Sequence, residues 1–268
     1  MRIEVLAIGR EILSGRTLDT NSHWIARQVA SLGGRLNRIA AVDDDEREIA
    51  SEIASARDRG VSVFITTGGL GPTSDDKTLA AIAAAAGLDL VECTSALRFV
   101  SSRYEEFYAA GHVDSPHLTP ERKKMAMLPR GSLWLDNAVG VAPGVRLTLD
   151  GMTVFALPGV PAEMKDIFTR HVIGHLRHLL EGRVFLECRV VTGIADESVL
   201  GPILDVVSGS VPGVYLKSTP RGFGQEEGIE VYISVWGEDE VLSRRMLTEA
   251  KEMLLRLAAE RGGRSHSS

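Results

Sequence analysis

Thr66-Thr67-Gly68-Gly69-Leu70-Gly71-Pro72-Thr73-Ser74-Asp75-Asp76 is the stretch on which the reading of this chain turns. It follows residues 61–66, an almost wholly apolar run of the kind that forms a central parallel strand. It precedes an alanine-rich segment, residues 77–86, that reads as a helix. Three glycines in four positions let backbone N–H groups approach an anion without interference from Cβ atoms. The helix that follows presents its positive end to the same place. The loop is therefore suited to phosphate. It is not a Walker A loop, because Lys77 lacks the required spacing, and G-G-x-G is not the G-x-G-x-x-G dinucleotide fingerprint. The plainer reading is a tight strand-to-helix turn.

Outward from this loop the pattern alternates. Residues 2–8 and 35–42 read as strands. Ile25, Val29 and Leu32 recur at helical spacing, and residues 46–59 carry Ile49, Ile53 and Ala56 on one helix face. The βαβαβα order argues for a mostly parallel sheet with helices on both faces, an α/β/α three-layer domain. Residues 95–127 read as helical, opened by Thr94 or Ser95 and again by Thr119-Pro120-Glu121. Two apolar runs, 145–149 and 152–157, are joined by Asp150-Gly151, a hairpin signal. A helix is expected over 162–180. Gly182 marks the expected boundary between a domain at 1–181 and a small α+β domain at 182–261, with the order β-α-β-β-α. Residues 262–268 read as a disordered tail.

The chain has 268 residues, 25% of them charged, and a net charge of −6. An acidic chain is a poor candidate for non-specific nucleic-acid binding. Its 27 glycines stand against only 14 aromatic side chains, where glycine averages about 7% of residues. Cys93 and Cys188 have neither disulfide-framework nor zinc spacing. The N-terminus does not resemble a signal peptide and no run approaches the length of a membrane span, so a cytoplasmic protein without membrane association is expected.

Acidic residues sharpen the loop. Asp75-Asp76 closes it, and Asp43-Asp44-Asp45 ends the preceding strand of the parallel series. If those strands are neighbours, both clusters meet in one crevice, and Mg²⁺ takes one or two carboxylates plus substrate phosphates. The alternative is helix capping, the better reading for at least two of the five. Further glycine loops follow at Gly9-Arg10-Glu11-Ile12-Leu13-Ser14-Gly15, Asn137-Ala138-Val139-Gly140-Val141-Ala142-Pro143-Gly144 and Leu157-Pro158-Gly159-Val160-Pro161. Several such loops sharing a rim are more specific than any one.

Together with Asp19-Thr20-Asn21-Ser22 and Glu163-Met164, these motifs resemble, in order, the MoaB/Mog (molybdopterin-binding) superfamily. Within it they are most similar to the N-terminal domain of CinA-type proteins, over roughly residues 1–180. Residues beyond 182 resemble the KH-like second domain of CinA proteins, through Gly193-Ile194-x-x-Glu197-Ser198. The amidohydrolase domain of CinA proteins has no counterpart here, so nicotinamide-nucleotide deamidation is not expected. The resemblance implies a homo-oligomer, dimer or trimer, that binds a small-molecule phosphate ligand, either molybdopterin or a nucleotide. It implies catalytic and metal-holding roles for Asp44 and Asp76, with Mg²⁺, Mn²⁺ or Co²⁺. Ligand-binding roles pass to Glu11, Thr67, Gly68, Gly69, Gly71, Thr73, Asp75, Asn137, Gly140, Pro158 and Gly159. Two positions depart from the family: Arg10 stands where Asp or Asn is usual, and Asp43 where Gly or Pro is common. Arg10 either weakens a metal site or pairs a substrate phosphate.

The activity expected is metal-dependent hydrolysis of ADP-ribose or a related dinucleotide. The alternatives are molybdopterin adenylylation and a non-catalytic pterin- or nucleotide-binding module. His171, His175 and His178 recur at helical spacing, but without an acidic or cysteine partner they read as a solvated face. Arg122-Lys123-Lys124 is either solvated or a receiver of phosphate, and Arg221, in a glycine-rich loop, is a candidate to close over a neighbouring site in an oligomer. The absence of a G-x-x-G loop in the KH-like unit weighs against RNA.

Overall fold

The computed structural model describes residues 1–219 and 228–261; the tail at 262–268 and Arg221 lie outside them. Contacts divide the chain into two compact units, one of residues 1–28 with 35–178, the other of residues 29–34 with those from 179 onward. No helix among the described residues is long and apolar enough to cross a membrane.

The first unit is built on a six-stranded sheet in the order β2-β1-β3-β8-β7-β6. Strands β1 (Ile3–Ile8), β2 (Leu36–Val42), β3 (Val63–Thr67) and β8 (Met152–Leu157) run parallel. Strand β7 (Gly144–Leu149) pairs antiparallel with β8, and β6 (Leu133–Leu135) with β7. The Asp150-Gly151 hairpin forms as read, with Asp150 at φ 49° and Gly151 at φ 87°. Strands β1, β3 and β8 are buried along their whole length, which is why they read as continuous apolar runs.

Helices cover both faces. Helices α3 (Glu46–Asp58), α4 (Thr78–Ala86) and α5 (Thr94–Ala109) bury Ile49, Ile53, Ile82 and Val100 in one cluster with Leu6, Phe64 and Val154 of the sheet. Phe155, one residue along β8, points to the other face. There its ring meets His175 of α8 (Ile173–Leu179) edge-on at 5.4 Å.

The middle segment is less helical than its sequence suggests. Helix α5 stops after Ala109, where Gly111 takes φ +73°, and α6 covers only Pro120–Lys124. Residues 110–119 between them form neither helix nor strand. Two three-residue strands, β4 (Leu90–Glu92) and β5 (Met127–Pro129), form a separate ribbon. Strands this short show no period in sequence. The helix expected over 162–180 is α7 (Pro161–Ile167) continued into α8 through a π-helical turn at Phe168–Val172.

The second unit is the expected β-α-β-β-α arrangement. Strands β9 (Val184–Val191), β10 (Val214–Thr219) and β11 (Glu230–Gly237) make an antiparallel sheet with β11 central. Helices α9 (Glu197–Ser210) and α10 (Glu240–Glu260) bury Leu200, Ile203, Val207, Ala250 and Leu254 against Val231, Ile233 and Val235 of β11.

Two local devices in the first unit are open to test. Asp45 caps α3, its Oδ1 accepting from the amides of Arg47 at 2.9 Å and Glu48 at 3.1 Å. Asp45→Ala is expected to lower stability by about 1 kcal/mol in urea unfolding. Gly68 sits at φ +106°, and a Cβ there would overlap the carbonyl oxygen of Ile8. Gly68→Ala is expected to cost ~3 kcal/mol in the same measurement, the sum of an unfavourable φ and a backbone clash.

Candidate functional site

Parallel strands that leave a common edge in opposite directions open a crevice at their carboxyl ends, where ligands of α/β proteins sit. Here the chain passes from β1 to β2 on one side and returns to place β3 on the other. A cavity of about 810 Å³ lies in the first unit where these strands end. The segments that follow β1, β2, β3 and β8 all contribute to its wall, as do residues of α5 and the 137–144 loop. The two acidic clusters therefore share one cavity although β2 and β3 are not neighbours. β1 lies between them, and the segment after β1 is part of the wall.

The glycine loop is held from three sides. The Gly68 amide donates to Leu157 O at 3.0 Å, so it is not free for a ligand. Thr78 Oγ1 donates to Gly68 O at 2.8 Å, and the Thr78 amide to Gly69 O at 3.2 Å. Gly69 takes φ +67°, and a Cβ there would overlap Thr78 Oγ1. Lys124 Nζ donates to Thr73 O on the far side of the loop. Once these bonds are made, the amides of Gly69, Leu70 and Gly71 have no hydrogen-bond acceptor among the described residues. An anion would find those three N–H groups unspent.

The acids do different jobs. Asp45 is the cap described above, while α4 begins at Lys77 with no side-chain cap, so one of the five is a helix cap rather than two. Asp76 reaches back instead: its Oδ2 accepts from the Thr73 amide at 2.8 Å and Thr73 Oγ1 at 2.7 Å. Asp44 Oδ2 accepts from the Arg10 amide at 3.0 Å. Each keeps an Oδ1 with no hydrogen bond to a described residue, and both line the cavity. No three acidic, histidine or cysteine side chains gather as metal ligands among the described residues. Two carboxylates, each with one free oxygen, fit a divalent cation whose remaining ligands come from phosphate and water.

Arg10 and Asp43 form a fork. Arg10 Nε lies 3.0 and 3.2 Å from the two Asp43 oxygens, and Nη2 lies 3.1 Å from Oδ2. The Asp43 Oδ1 also accepts from the Asp44 amide at 2.8 Å. These bonds hold the Asp43 carboxyl below the usual carboxylate range and raise Arg10. The two departures from the family pattern thus form a single pair, and Arg10 lies in the cavity wall with Nη1 unspent.

Of the other expected ligand residues, Glu11, Thr67, Gly140, Pro158 and Gly159 line the cavity, as does the exposed Asp75. Thr73 does not; it anchors Asp76. Asn137 is also outside the lining and fully buried. Its Nδ2 donates to Ala142 O at 2.9 Å and Glu163 Oε2 at 2.6 Å, while its Oδ1 accepts from the amides of Val139 and Gly140. Asn137 is the clamp of its loop. Asn21, at 8% exposure, lines the cavity and donates to Gly159 O at 2.8 Å, and its buried Oδ1 has no partner among the described residues.

The basic run and the histidines are accounted for locally. Arg122 donates to Ser115 O and His117 O and lies 3.8 Å from the Tyr104 ring centre, while Lys123 is exposed. His171 Nε2 lies 2.8 Å from Asp136 Oδ1, His175 packs on Phe155, and only His178 is exposed. The three histidines are therefore not one solvated face, because the π-turn changes the helical phase between them. Tyr104, Phe107 and Met125 also line the cavity, and only tertiary contact places them there.

Residues 4–178 match the family described as a probable molybdopterin binding domain. A protein of Thermococcus kodakarensis is 40% identical over 238 residues, 89% of this chain and 93% of its own length. One from Pyrococcus abyssi is 38% identical over 92% of this chain and 94% of its own. The crystal structure of CinA from Thermoplasma acidophilum, titled as of unknown function, superposes with a TM-score of 0.57 at 34% identity, covering 63% of this chain and 95% of that one. With its fold, motif loops and matched residues in agreement, the chain belongs to the molybdopterin-binding MoaB/Mog family, in its CinA-like branch.

Proposed function

We propose that this protein binds the diphosphate of an ADP-ribose-like dinucleotide in the Gly68–Gly71 cavity and hydrolyses its phosphoanhydride, with Mg²⁺, Mn²⁺ or Co²⁺ held at Asp44 and Asp76. The observation that carries this reading is the coincidence, on one cavity wall, of three unspent loop amides and two carboxylates with free oxygens. A bound cation supplies charge neutralisation and polarisation of phosphorus. The chain's own groups do the rest. The amides of Gly69, Leu70 and Gly71 hold the phosphate oxygens and stabilise the charge that grows on them. Thr73 and the Arg10 amide keep Asp76 and Asp44 in place. Water adds to phosphorus, and the products are AMP and ribose 5-phosphate. The family resemblance adds a homo-oligomer, dimer or trimer, to the proposal, which light scattering would check.

Incubation of ADP-ribose with each cation should release AMP. Asp76→Ala and Asp44→Ala should each reduce that release by on the order of a hundredfold. No AMP from the wild type with any of the three cations would overturn the hydrolytic reading. Pyrophosphate release from ATP that requires molybdopterin would replace it with adenylyl transfer.

The Arg10–Asp43 pair favours a second reading, tight binding of a pterin or nucleotide without turnover, since it brings a fixed cation where the family usually has an acid or amide. An ion pair this exposed contributes little to stability. Arg10→Ala is therefore expected to leave the melting temperature unchanged while weakening ADP-ribose binding about tenfold. Calorimetric titration in the presence of EDTA measures it without any contribution from a cation.

A further inference from the structure

Glu163 is a carboxyl in the cavity wall that the phosphate chemistry does not use. It stands in the first turn of α7, half-buried, and its Oε2 accepts from Asn137 Nδ2 at 2.6 Å. Its Oε1 makes no hydrogen bond to a described residue. Asn137 cannot turn to offer more, because every other polar position of its amide is committed to the 137–144 loop. A Cβ at Gly140 would overlap the Glu163 carboxyl, so glycine at that position is what leaves room for it.

Arg103 acts on Glu163 only from a distance and forms no ion pair with it. Arg103 donates to the carbonyls of Gly140 at 2.9 Å and Val139 at 3.1 Å, and pairs with Glu106 at 2.5 Å. Glu163 is thus a carboxyl with one free oxygen and no ion pair, and burial pushes its pKa up. That oxygen is open to the cavity and able to accept from a ligand donor.

The cavity wall also carries apolar side chains. The Arg103 guanidinium, bonded to Gly140 O, lies 4.9 Å from the Phe107 ring centre, and Phe107, Met125 and Val141 line the same cavity. Four residues back from Glu163, Gly159 lies beside the glycine loop, where an added Cβ would be in ordinary contact with Gly68 Cα at 3.4 Å. A ligand with its phosphate on the glycine loop therefore has the apolar side chains of Phe107, Met125 and Val141 and a free oxygen of Glu163 within the same cavity. Flat rings with polar edges suit such surroundings.

We propose that Glu163 selects the ring of the ligand, its Oε1 accepting the N–H of an exocyclic amino group on a heteroaromatic ring laid against Phe107 and Met125. This rests on the reading of the glycine loop as the phosphate site. An ionised carboxylate only accepts, so it favours an amino-bearing ring over the same ring without the amino group. Adenine and pterin both carry one.

The test is titration of the full chain with AMP, purine riboside 5′-monophosphate, 6-hydroxymethylpterin and inorganic pyrophosphate. Wild-type protein should bind AMP about tenfold more tightly than its des-amino analogue. In Glu163→Gln, the glutamine oxygen must take the Asn137 N–H, so its own NH₂ turns to the ligand and the advantage should vanish. Gly140→Ala, which displaces the carboxyl, should lose it too. Retention of the preference in Glu163→Gln, or its absence in the wild type, overturns the proposal. Wild-type binding of pyrophosphate without either nucleotide or the pterin overturns it and leaves the phosphate site standing; binding of none of the four overturns both. Tighter binding of AMP or of the pterin identifies the source of the amino group.

Folding of the variant is checked in the same samples. A carboxyl whose pKa is raised in the folded state stabilises below the ordinary glutamate range and loses that contribution as pH rises through its folded value. Glu163→Gln should therefore melt higher than wild type at pH 8, and the difference should shrink toward pH 4.

Discussion

The rest of the first unit depends on one close approach. At Gly68 the end of β3 is drawn between its neighbours, its amide bonded to Leu157 O of β8 and its Cα against Ile8 O of β1. Only a residue without Cβ and at home at φ +106° fits that gap. Gly68 spends its amide on β8, and the next three amides have no hydrogen-bond acceptor among the described residues. Gly159, in the loop after β8, lies in contact with Gly68 in the loop after β3. The cavity is what remains where four parallel strands end together.

Charge is arranged around that cavity by hydrogen bonds that leave selected atoms free. Asp43 gives up both oxygens to Arg10 and the Asp44 amide. Asp44 and Asp76 give up one oxygen each, to the Arg10 amide and to Thr73. Glu163 likewise gives up one, to Asn137. Among the described residues, the amides of Gly69, Leu70 and Gly71 and one oxygen each of Asp44, Asp76 and Glu163 are left over, beside the carboxylates of Glu11 and Asp75 in the same wall. Asn21, with a buried and unpartnered Oδ1 at the same wall, belongs to the same pattern.

Much of this was legible in residue order. Continuous apolar runs marked β1, β3 and β8 because strands covered on both faces need no polar alternation. The Asp150-Gly151 turn, Gly15 and Gly68-Gly69 were readable because few residues adopt their backbone angles, and Gly140 and Gly144 because a side chain packs where a Cβ would be. The ribbon of β4 and β5 was not, since three residues carry no period. The breadth of the helical reading over 95–127 failed at Gly111, where a left-handed glycine ends α5 and the chain crosses to α6 without regular structure. The π-turn at Phe168–Val172 inserts a residue into the helical phase, which no spacing of His171, His175 and His178 announces.

The sequence by itself determined the layered α/β architecture, the family and the loops that form the rim, because those follow from local backbone preference and from the burial of periodic apolar faces. Tertiary structure alone decided what each polar residue in those loops does. Five aspartates look alike in sequence, yet one caps a helix, one holds an arginine and two keep an oxygen free for a ligand. Asn137 reads as a ligand and acts as a clamp; Glu163 reads as part of a helix start and stands open in the cavity. The physical reason is that a side chain's role is set by the atoms left unbonded after its neighbours are satisfied. Those neighbours lie as far as 34 residues from Asp44 and 26 from Glu163 along the chain.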